Sequence, residues 1–318
     1  MRYDLVIIGG GPAGVAGAVY AARKKLKTRI IAEAFGGQSL VSASVENWIG
    51  TPKASGFDLG EMFKAHLKAQ EGLEIGEGEH VERIEPIAEG FRVLTERGDS
   101  YETNGVLLAT GSVRRKLGVP GERELEGRGV AYCSICDAPL FGGKDVAVVG
   151  GGNSGLEAVG DLLPYAKHVF LFHHAAALAG DPATRDRVLA DKEKVTVILN
   201  AETTMVAGDA WVTGIRYRLP AAPSAAGADE TRELSVEGVF VEVGLDPASA
   251  LVKDLVALND RGEVITDPHT QATSRPGIWA AGDVTDGRYR QNNISAGDAV
   301  KAVLHIYETF TKAAGVLQ

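Results

Sequence analysis

The chain has 318 residues, of which 45% are hydrophobic, and its formal net charge is −9. Because domains usually contain about 100–200 residues, this length predicts two domains. No stretch approaches the roughly 20 apolar residues that a membrane span needs, and no secretory leader is visible. An acidic chain is a poor partner for nucleic acid, since phosphate groups bind basic surfaces. A soluble protein of the cytoplasm is therefore expected.

The first elements predict a strand–helix–strand unit. Residues 5–8 are an apolar run typical of a buried strand, residues 12–25 favour a helix, and residues 28–32 favour a second strand. Pro12 suits the first turn of the helix, and the basic residues at 23–25 suit its negative end. Such a unit implies a parallel sheet.

The turn between the first strand and the helix has the pattern G-x-G-x-x-G, at Gly9, Gly11 and Gly14. The first glycine permits a tight turn, the second lets a pyrophosphate approach the backbone, and the third allows the helix to pack on the strand. Glu33 ends the next strand, where a carboxylate can accept a hydrogen bond from a ribose hydroxyl. The pattern predicts dinucleotide binding; the alternative is a glycine-rich turn without a ligand.

The chain contains only two cysteines, Cys133 and Cys136, in one Cys-x-x-Cys followed by Asp137. A secreted disulfide scaffold would carry more cysteines, and a structural zinc site needs four ligands, so no metal is expected. Two thiols at this spacing suit thiol–disulfide exchange, in which one sulfur attacks a partner and the other resolves the mixed disulfide. Asp137 could supply or take the proton. The alternative is a buried, inert pair.

The strand–helix–strand unit then recurs. Residues 146–149 and 169–172 are strand-like, and residues 153–163 favour a helix that Pro164 ends. The turn at Gly150, Gly152 and Gly155 repeats the glycine pattern. This copy lacks the acidic residue, because its second strand runs into His173, His174 and alanines. No arginine follows to hold a 2′-phosphate, so the choice between NAD and NADP stays open from the residues alone.

The last third predicts strands at residues 239–243 and 277–281 and a closing helix at about residues 294–310. Residues 219–229 are rich in Ala, Pro and Gly and favour a hairpin tip.

Several motifs, in order over essentially the whole chain, resemble the low-molecular-weight thioredoxin reductase family. Besides the glycine turns and the Cys-x-x-Cys-Asp, they are Gly36-Gly37-Gln38, Glu46-Asn47-Trp48-Ile49-Gly50, Ala109-Thr110-Gly111, Ala281-Gly282-Asp283 and Tyr289-Arg290-Gln291. The resemblance implies an α/β homodimer with two Rossmann-like dinucleotide-binding domains, the second inserted into the first. Residues 1–114 and 246–318 would bind FAD, and residues 115–245 would bind NAD(P) and carry the redox pair.

The resemblance also implies roles for single residues. Cys136 would take electrons from the flavin, Cys133 would attack the partner's disulfide, and Asp137 would be the general acid and base. The expected FAD-binding residues are Gly9, Gly11, Pro12, Ala13, Gly14, Glu33, Gly37, Gln38, Asn47, Ala109, Thr110, Gly111, Gly282, Asp283, Arg290 and Gln291. The expected NAD(P)-binding residues are Gly150, Gly152, Asn153, Ser154, Gly155, His173 and His174.

The chain departs from the family where NADPH is recognised. The family's His-Arg-Arg and a further Arg, which hold the 2′-phosphate, align here with His173-His174-Ala175 and Ala179. Alanine cannot replace bidentate guanidinium contacts. In this respect the segment looks like the flavoprotein component of alkyl hydroperoxide reductase, which favours NADH.

The leading hypothesis is therefore a flavoenzyme that passes electrons from NADH, in preference to NADPH, through FAD and the Cys133–Cys136 disulfide to thioredoxin or a related redoxin. Cofactors would carry the electron chemistry and the protein would orient them. A second hypothesis keeps the disulfide reductase but takes electrons from ferredoxin or another flavoprotein. A third is a redox-sensing flavoprotein that binds a partner without turnover.

Overall fold

Alternating apolar residues put both faces of the first sheet into contact with core residues. In the strand Arg2–Ile8, Leu5 and Ile7 lie in one apolar cluster, and Val6 and Ile8 lie in another. A strand covered on both faces is typical of a parallel sheet between two layers. The structure, a computed structural model, describes residues 2–42, 45–220 and 230–313.

The strands, in chain order, are β1 (Arg2–Ile8), β2 (Thr28–Ala32), β3 (Leu73–Glu77), β4 (Val81–Pro86), β5 (Phe91–Thr95), β6 (Ser100–Leu108), β7 (Ser112–Arg114), β8 (Val130–Ala131), β9 (Asp145–Val149), β10 (His168–Phe172), β11 (Val195–Ile198), β12 (Glu202–Gly208), β13 (Val212–Leu219), β14 (Glu230–Leu234), β15 (Gly238–Val241), β16 (Leu245–Pro247) and β17 (Ile278–Ala280). The α-helices are α1 (Pro12–Arg23), α2 (Gly56–Lys68), α3 (Ser134–Asp137), α4 (Asn153–Leu162), α5 (Pro182–Val188) and α6 (Asn292–Ala313). Short 3-10 helices cover Gly37–Val41, Ala138–Phe141 and Ala250–Val252.

The chain forms two compact units. Unit 1 contains Met1–Val113 and Asp246–Gln318, and unit 2 contains Arg114–Leu245. Unit 1 is built on a seven-stranded sheet in the order β3-β2-β1-β6-β5-β4, with β17 also paired to β6. The strands β3, β2, β1, β6 and β17 are parallel, whereas β4 and β5 are antiparallel additions. Residues of α1, α2 and α6 pack together in the cluster on one face of this sheet.

Unit 2 repeats the arrangement on a smaller scale. Its five-stranded sheet has the order β11-β10-β9-β15-β8, with every pair parallel. Apolar residues of α4, such as Leu156 and Val159, pack with Val146 and Val148 of β9 on one face. The alternate residues of β9 face a cluster shared with the antiparallel sheet β12-β13-β14. The expected α/β class with parallel sheets is thus confirmed.

The sequence predicts ends for α1 and β15 that lie beyond the observed ends. Helix α1 ends at Arg23 and not at residue 25, because Lys25 has a φ of 59°, a left-handed conformation that cannot continue a helix. Strand β15 ends at Val241 and not at residue 243. The predicted hairpin tip falls mainly on residues 221–229, which lie outside the described residues.

In the described ranges, the structure contains no helix with the length and apolarity needed to span a membrane. The same part of the chain holds no cluster of three or more His, Cys, Asp or Glu side chains suited to a metal ion.

Candidate active site

The first glycine turn joins β1 to α1 and leaves room above its middle glycine. Gly9 has a φ of 120°, and a Cβ atom there would clash with the carbonyl oxygen of Ala109. A Cβ on Gly14 would clash with the carbonyl oxygen of Gly9. At Gly11, in contrast, the nearest atom to such a Cβ is 3.8 Å away, on Gly37. The turn is therefore closed on the protein side and open above Gly11, where α1 begins at Pro12.

Other expected FAD-binding residues of unit 1 lie on segments around this turn. Gly37, with a φ of 58°, lies against Gly11, and the side-chain amide of Gln38 donates to the carbonyl of Ser112 over 2.7 Å. The amide of Asn47 donates to the side-chain oxygen of Gln291 over 3.3 Å. Residues that are distant in sequence are thus brought together beside α1 and at the start of α6.

The ends of β6 and β17 complete this edge of the sheet. Ala109 follows β6 and donates to the carbonyl of Ile8, and Thr110 donates through its hydroxyl to Ala248 over 2.7 Å. Gly282 follows β17 with a φ of 76°, and a Cβ there would lie 3.2 Å from that of Ala13. The hydroxyl of Ser295 in α6 donates to Asp283 over 3.2 Å.

Two charged residues expected at the FAD site have different surroundings. Glu33 follows β2 directly and its side chain is exposed, as a ligand to a ribose hydroxyl would be. The guanidinium of Arg290 is bound to the carboxylate of Glu263 over 2.5 Å and to the carbonyl of Gly287. The Glu263 side chain is only 8% exposed, so Arg290 is held by a largely buried ion pair. The same carboxylate also pairs with Arg261 over 3.2 Å.

The second glycine turn, between β9 and α4 in unit 2, has the same construction. A Cβ on Gly150 would clash with the carbonyl oxygen of Glu242, and one on Gly155 would clash with Gly150. A Cβ on Gly152 would meet no atom within 4 Å. Helix α4 begins directly after Gly152, and Asn153 and Ser154 in its first turn are exposed. This turn is therefore a second cradle that is open to a ligand.

The histidines that follow β10 are placed differently from each other. His174 is exposed, whereas His173 is only 6% exposed and its Nδ1 accepts a hydrogen bond from the N–H of Gly151 over 3.2 Å. Burial lowers the pKa of His173, and His174 acts in the same direction. His173 therefore contacts the backbone of the glycine turn directly. A separate hydrogen bond runs from the N–H of Asp181 to the side-chain oxygen of Asn153 over 2.6 Å.

The redox pair lies in a one-turn helix of unit 2. Cys133 and Cys136 form a disulfide with their Cα atoms 5.3 Å apart. Cys133 is the N-cap of α3, and its Sγ accepts a hydrogen bond from the N–H of Cys136 over 3.3 Å. The hydroxyl of Ser134 donates to Asp161 of α4 over 2.7 Å, so α3 is attached to the helix that starts at the second glycine turn. Ile135, between the sulfurs in sequence, is 52% exposed.

Two carboxyl groups of unit 2, those of Asp137 and Glu242, have raised pKa values. Asp137 is 9% exposed, and burial raises its pKa to about 6 although the charge of Arg114 opposes the shift. Burial also raises the pKa of Glu242 to about 7, again against Arg114, and the negative charges of Asp161 and Glu157 add to the increase. Groups that titrate near neutral pH can exchange protons with a reacting sulfur.

The sequence fits one known family along most of its length. Residues 3–299 match the family described as pyridine nucleotide-disulphide oxidoreductase. The chain belongs to this family.

This chain is similar in sequence to the F component of alkyl hydroperoxide reductase from two bacteria. The protein of that name from Staphylococcus aureus is 42% identical over 306 residues, which are 96% of this chain and 59% of the relative. The one from Pseudomonas putida is 43% identical over 309 residues, or 96% of this chain and 58% of the relative. The chain thus spans about three fifths of the length of these relatives.

Solved structures of thioredoxin reductases are similar over almost the whole chain. The enzyme from Streptococcus pyogenes is 35% identical with a TM-score of 0.86, and the match covers 98% of this chain and 99% of that one. The enzyme from Giardia duodenalis has the same TM-score and coverage at 28% identity. The resemblance to this family that the motifs indicate is confirmed.

Four residues that interact with the one-turn helix or with the second glycine turn are not expected from the sequence: Arg114, Ser134, Asp161 and Glu242. Only Glu242 has a signal in the sequence, because an acidic residue interrupts the apolar run at residues 239–243. Asp161 contacts Ser134 across 27 positions of sequence, and only the packing of α3 on α4 brings them together.

Two glycine substitutions should separate a ligand cradle from a packing site. Gly152→Ala should leave thermal stability unchanged, because a Cβ meets no protein atom there and the backbone φ of −89° suits alanine. It should weaken nicotinamide dinucleotide binding by about tenfold or more, because the methyl group occupies the space above the turn. Thermal denaturation and titration calorimetry check both expectations.

Gly155→Ala is the matched control, since its Cβ would clash with the Gly150 carbonyl. It should lower the melting temperature clearly. Equal loss of stability in the two variants would contradict an open cradle at Gly152.

Proposed function

We propose that this chain is a cytoplasmic, homodimeric FAD-containing disulfide reductase, in which electrons from a nicotinamide dinucleotide pass through Cys133–Cys136 to thioredoxin or a related small redoxin. The observation that carries the proposal is the disulfide in unit 2, attached by Ser134 to the helix that starts at an open glycine cradle. A second cradle in unit 1 would hold the flavin. Two dinucleotide cradles and one disulfide are the parts that such electron transfer needs.

The residues of unit 1 fit FAD. Gly11 leaves the space that a pyrophosphate needs, and the start of α1 offers backbone N–H groups to it. We infer that residues 1–114 and 246–318 hold this cofactor, with Glu33 on a ribose and Asp283 near the phosphates and ribityl chain. Asn47 and Gln291 would lie toward the isoalloxazine. The residues proposed for NAD(P), in the segment 115–245, are Gly150, Gly152, Asn153, Ser154, Gly155 and His174.

The disulfide is the acceptor within the protein. When bound, the flavin supplies two-electron chemistry between the nicotinamide and the disulfide. Two electrons and two protons convert Cys133–Cys136 into a dithiol. The Cys133 thiolate then attacks one sulfur of the redoxin disulfide, a mixed disulfide forms, and a redoxin thiolate leaves. Cys136 attacks the sulfur of Cys133, which restores the internal disulfide and releases the reduced redoxin.

Asp137 is the proposed proton carrier. Its carboxyl group directly follows Cys136 and its pKa is raised to about 6 by burial, so it holds a proton at a pH where an ordinary aspartate would not. It can give this proton to a leaving thiolate and take one from the thiol that attacks next.

We propose NADH as the preferred donor. The segment after β10 presents an exposed His174 followed by Ala175, Ala176 and Ala177, and none of these residues offers the bidentate guanidinium contacts that hold a 2′-phosphate.

The donor can be identified by anaerobic titration of the holoenzyme. NADH should bleach the flavin absorbance within a turnover time, and NADPH should do so at least about tenfold less efficiently, because a 2′-phosphate without a cationic partner is costly to desolvate. The triple variant His174→Arg, Ala175→Arg, Ala179→Arg should reverse this preference. Bleaching by reduced ferredoxin and by neither nucleotide would instead favour another electron source.

The order of electron flow predicts the behaviour of Cys136→Ser. The variant should still show flavin bleaching by the nicotinamide donor, but its redoxin reduction should fall by about 100-fold or more, because no disulfide can form. Anaerobic absorbance and a coupled redoxin assay measure the two steps separately. Sustained redoxin reduction by this variant would contradict the proposed order.

Asp137→Asn should lower activity and raise stability together. With a folded pKa of about 6 and an ordinary value of 3.8, Asp137 binds a proton more tightly in the folded state, so its ionisation destabilises the protein as pH rises through that window. At neutral pH the variant should be more stable by about 1–3 kcal/mol. Its redoxin reduction should fall by about 10- to 100-fold and lose the pH limb near 6.

Denaturant unfolding and a pH–rate profile measure the two effects of Asp137→Asn. The exposed Asp254→Asn is the matched control and should change neither. An Asp137 variant with an unaltered pH profile would remove this residue from the proton transfer.

A second candidate function follows from the F components of alkyl hydroperoxide reductase, one of which matches 96% of this chain at 42% identity. In this case the chain would deliver electrons to a peroxide-reducing partner through a redoxin. The two candidates differ in the disulfide that the holoenzyme reduces fastest. Steady-state assays with thioredoxin and with a peroxide-reducing redoxin would distinguish them.

A further inference from the structure

His173 occupies an unusual position for a residue at a nucleotide site, because it is buried beneath the glycine turn and does not face the open cradle. Its Nδ1 accepts the N–H of Gly151 over 3.2 Å, and a Cβ on Gly151 would clash with the imidazole ring. At 6% exposure, little of the ring faces solvent. The second glycine turn is therefore in direct contact with the imidazole ring of His173.

The segment that follows β10 lies beside the same ring, and the backbone of Ala177 raises the pKa of His173 in opposition to burial. The segment is attached to the turn at two further points, where the N–H of Ala179 donates to the carbonyl of Gly151 over 2.8 Å and the N–H of Asp181 donates to Asn153. His173 thus lies between the glycine turn and the segment 174–181.

The hydrogen bond from Gly151 fixes the protonation state of the ring. A backbone N–H can only donate, so Nδ1 must be unprotonated and the neutral ring must carry its proton on Nε2. Protonation would put an N–H on Nδ1 opposite the N–H of Gly151, and the bond would be replaced by repulsion. Burial lowers the pKa of His173 and so favours the bonded, neutral form at ordinary pH.

We propose that His173 is a positioning residue that holds the phosphate-binding turn at Gly150–152 in place only while its ring is neutral, so that acidification weakens dinucleotide binding. This inference rests on the proposed nucleotide site and adds a pH dependence to it. In this arrangement His173 acts through Gly151 and does not itself contact the dinucleotide.

The other titratable groups around the turn have distinguishable effects. His174 follows His173 and is exposed, Glu242 lies against Gly150 through its backbone carbonyl, and Asp181 follows the segment attached to Gly151. Acidification makes each of these groups less negative or more positive, which favours an anionic pyrophosphate. Only protonation of His173 breaks a bond of the turn. A loss of affinity at low pH therefore has one source among the named groups.

The test measures binding of NAD⁺, or of NADP⁺ if the donor titration selects it, to the oxidised holoenzyme by calorimetry between about pH 5 and pH 8. The wild-type affinity should fall by about tenfold toward the acid end, the effect of one lost buried hydrogen bond. His173→Asn keeps an acceptor near the position of Nδ1, but asparagine does not titrate. This variant should therefore bind the dinucleotide at neutral pH, and its affinity should not decrease toward acid pH. His173→Ala should bind about tenfold more weakly throughout the range.

His168→Asn is the matched control, because His168 lies at the other end of the same strand and bonds to Thr196. It should keep the wild-type pH dependence. If wild type and His173→Asn show the same acid fall, or if His173→Ala binds as tightly as wild type, the positioning role is wrong although the nucleotide site stands. If wild type binds neither nucleotide at any pH, the proposed function fails first. If His173→Ala does not fold, the positioning role is tested by comparing the pH dependence of binding in wild type and in His173→Asn.

Discussion

In each unit a carbonyl oxygen lies so close to a turn residue that only glycine can occupy the position. The carbonyl of Ala109, just after β6, excludes a side chain at Gly9, and the carbonyl of Glu242, just after β15, excludes one at Gly150. The neighbouring strand therefore determines where the turn passes, and the turn determines where the helix begins. In both sheets, a helix begins beside a glycine that has free space above it, at the carboxyl ends of the strands. Parallel α/β sheets bind ligands at this edge. The remaining site residues are arranged around this constraint.

Much of the two α/β units could be predicted because their signals are local. The apolar run at residues 5–8, the glycines after it and Pro12 specify a strand, a turn and a helix within about one helix length of chain. Strand β2 has the bounds that its sequence predicts, Thr28–Ala32, and the bounds of β9, α4 and β10 differ from expectation by one residue. The end of α1 is less predictable, because it depends on the positive φ of Lys25.

The surroundings of the disulfide could not be predicted in the same way. Ser134 and Asp161 are 27 residues apart, and Glu242, just after β15, lies more than a hundred positions after the cysteines. Burial, which raises the pKa of Asp137 and Glu242, is a property of the packed unit and not of the local sequence. The contact of His173 with Gly151 could not be predicted for a related reason. The direction of its side chain depends on the course of the chain after β10, which the local sequence does not specify.

The cap of the one-turn helix has a consequence for the dithiol state. The two sulfurs are not equivalent, because the Sγ of Cys133 accepts a hydrogen bond from the N–H of Cys136. An N–H that donates to sulfur stabilises negative charge on that atom. In the dithiol state, this hydrogen bond would favour the thiolate form of Cys133. The short helix thus gives two chemically identical side chains different surroundings.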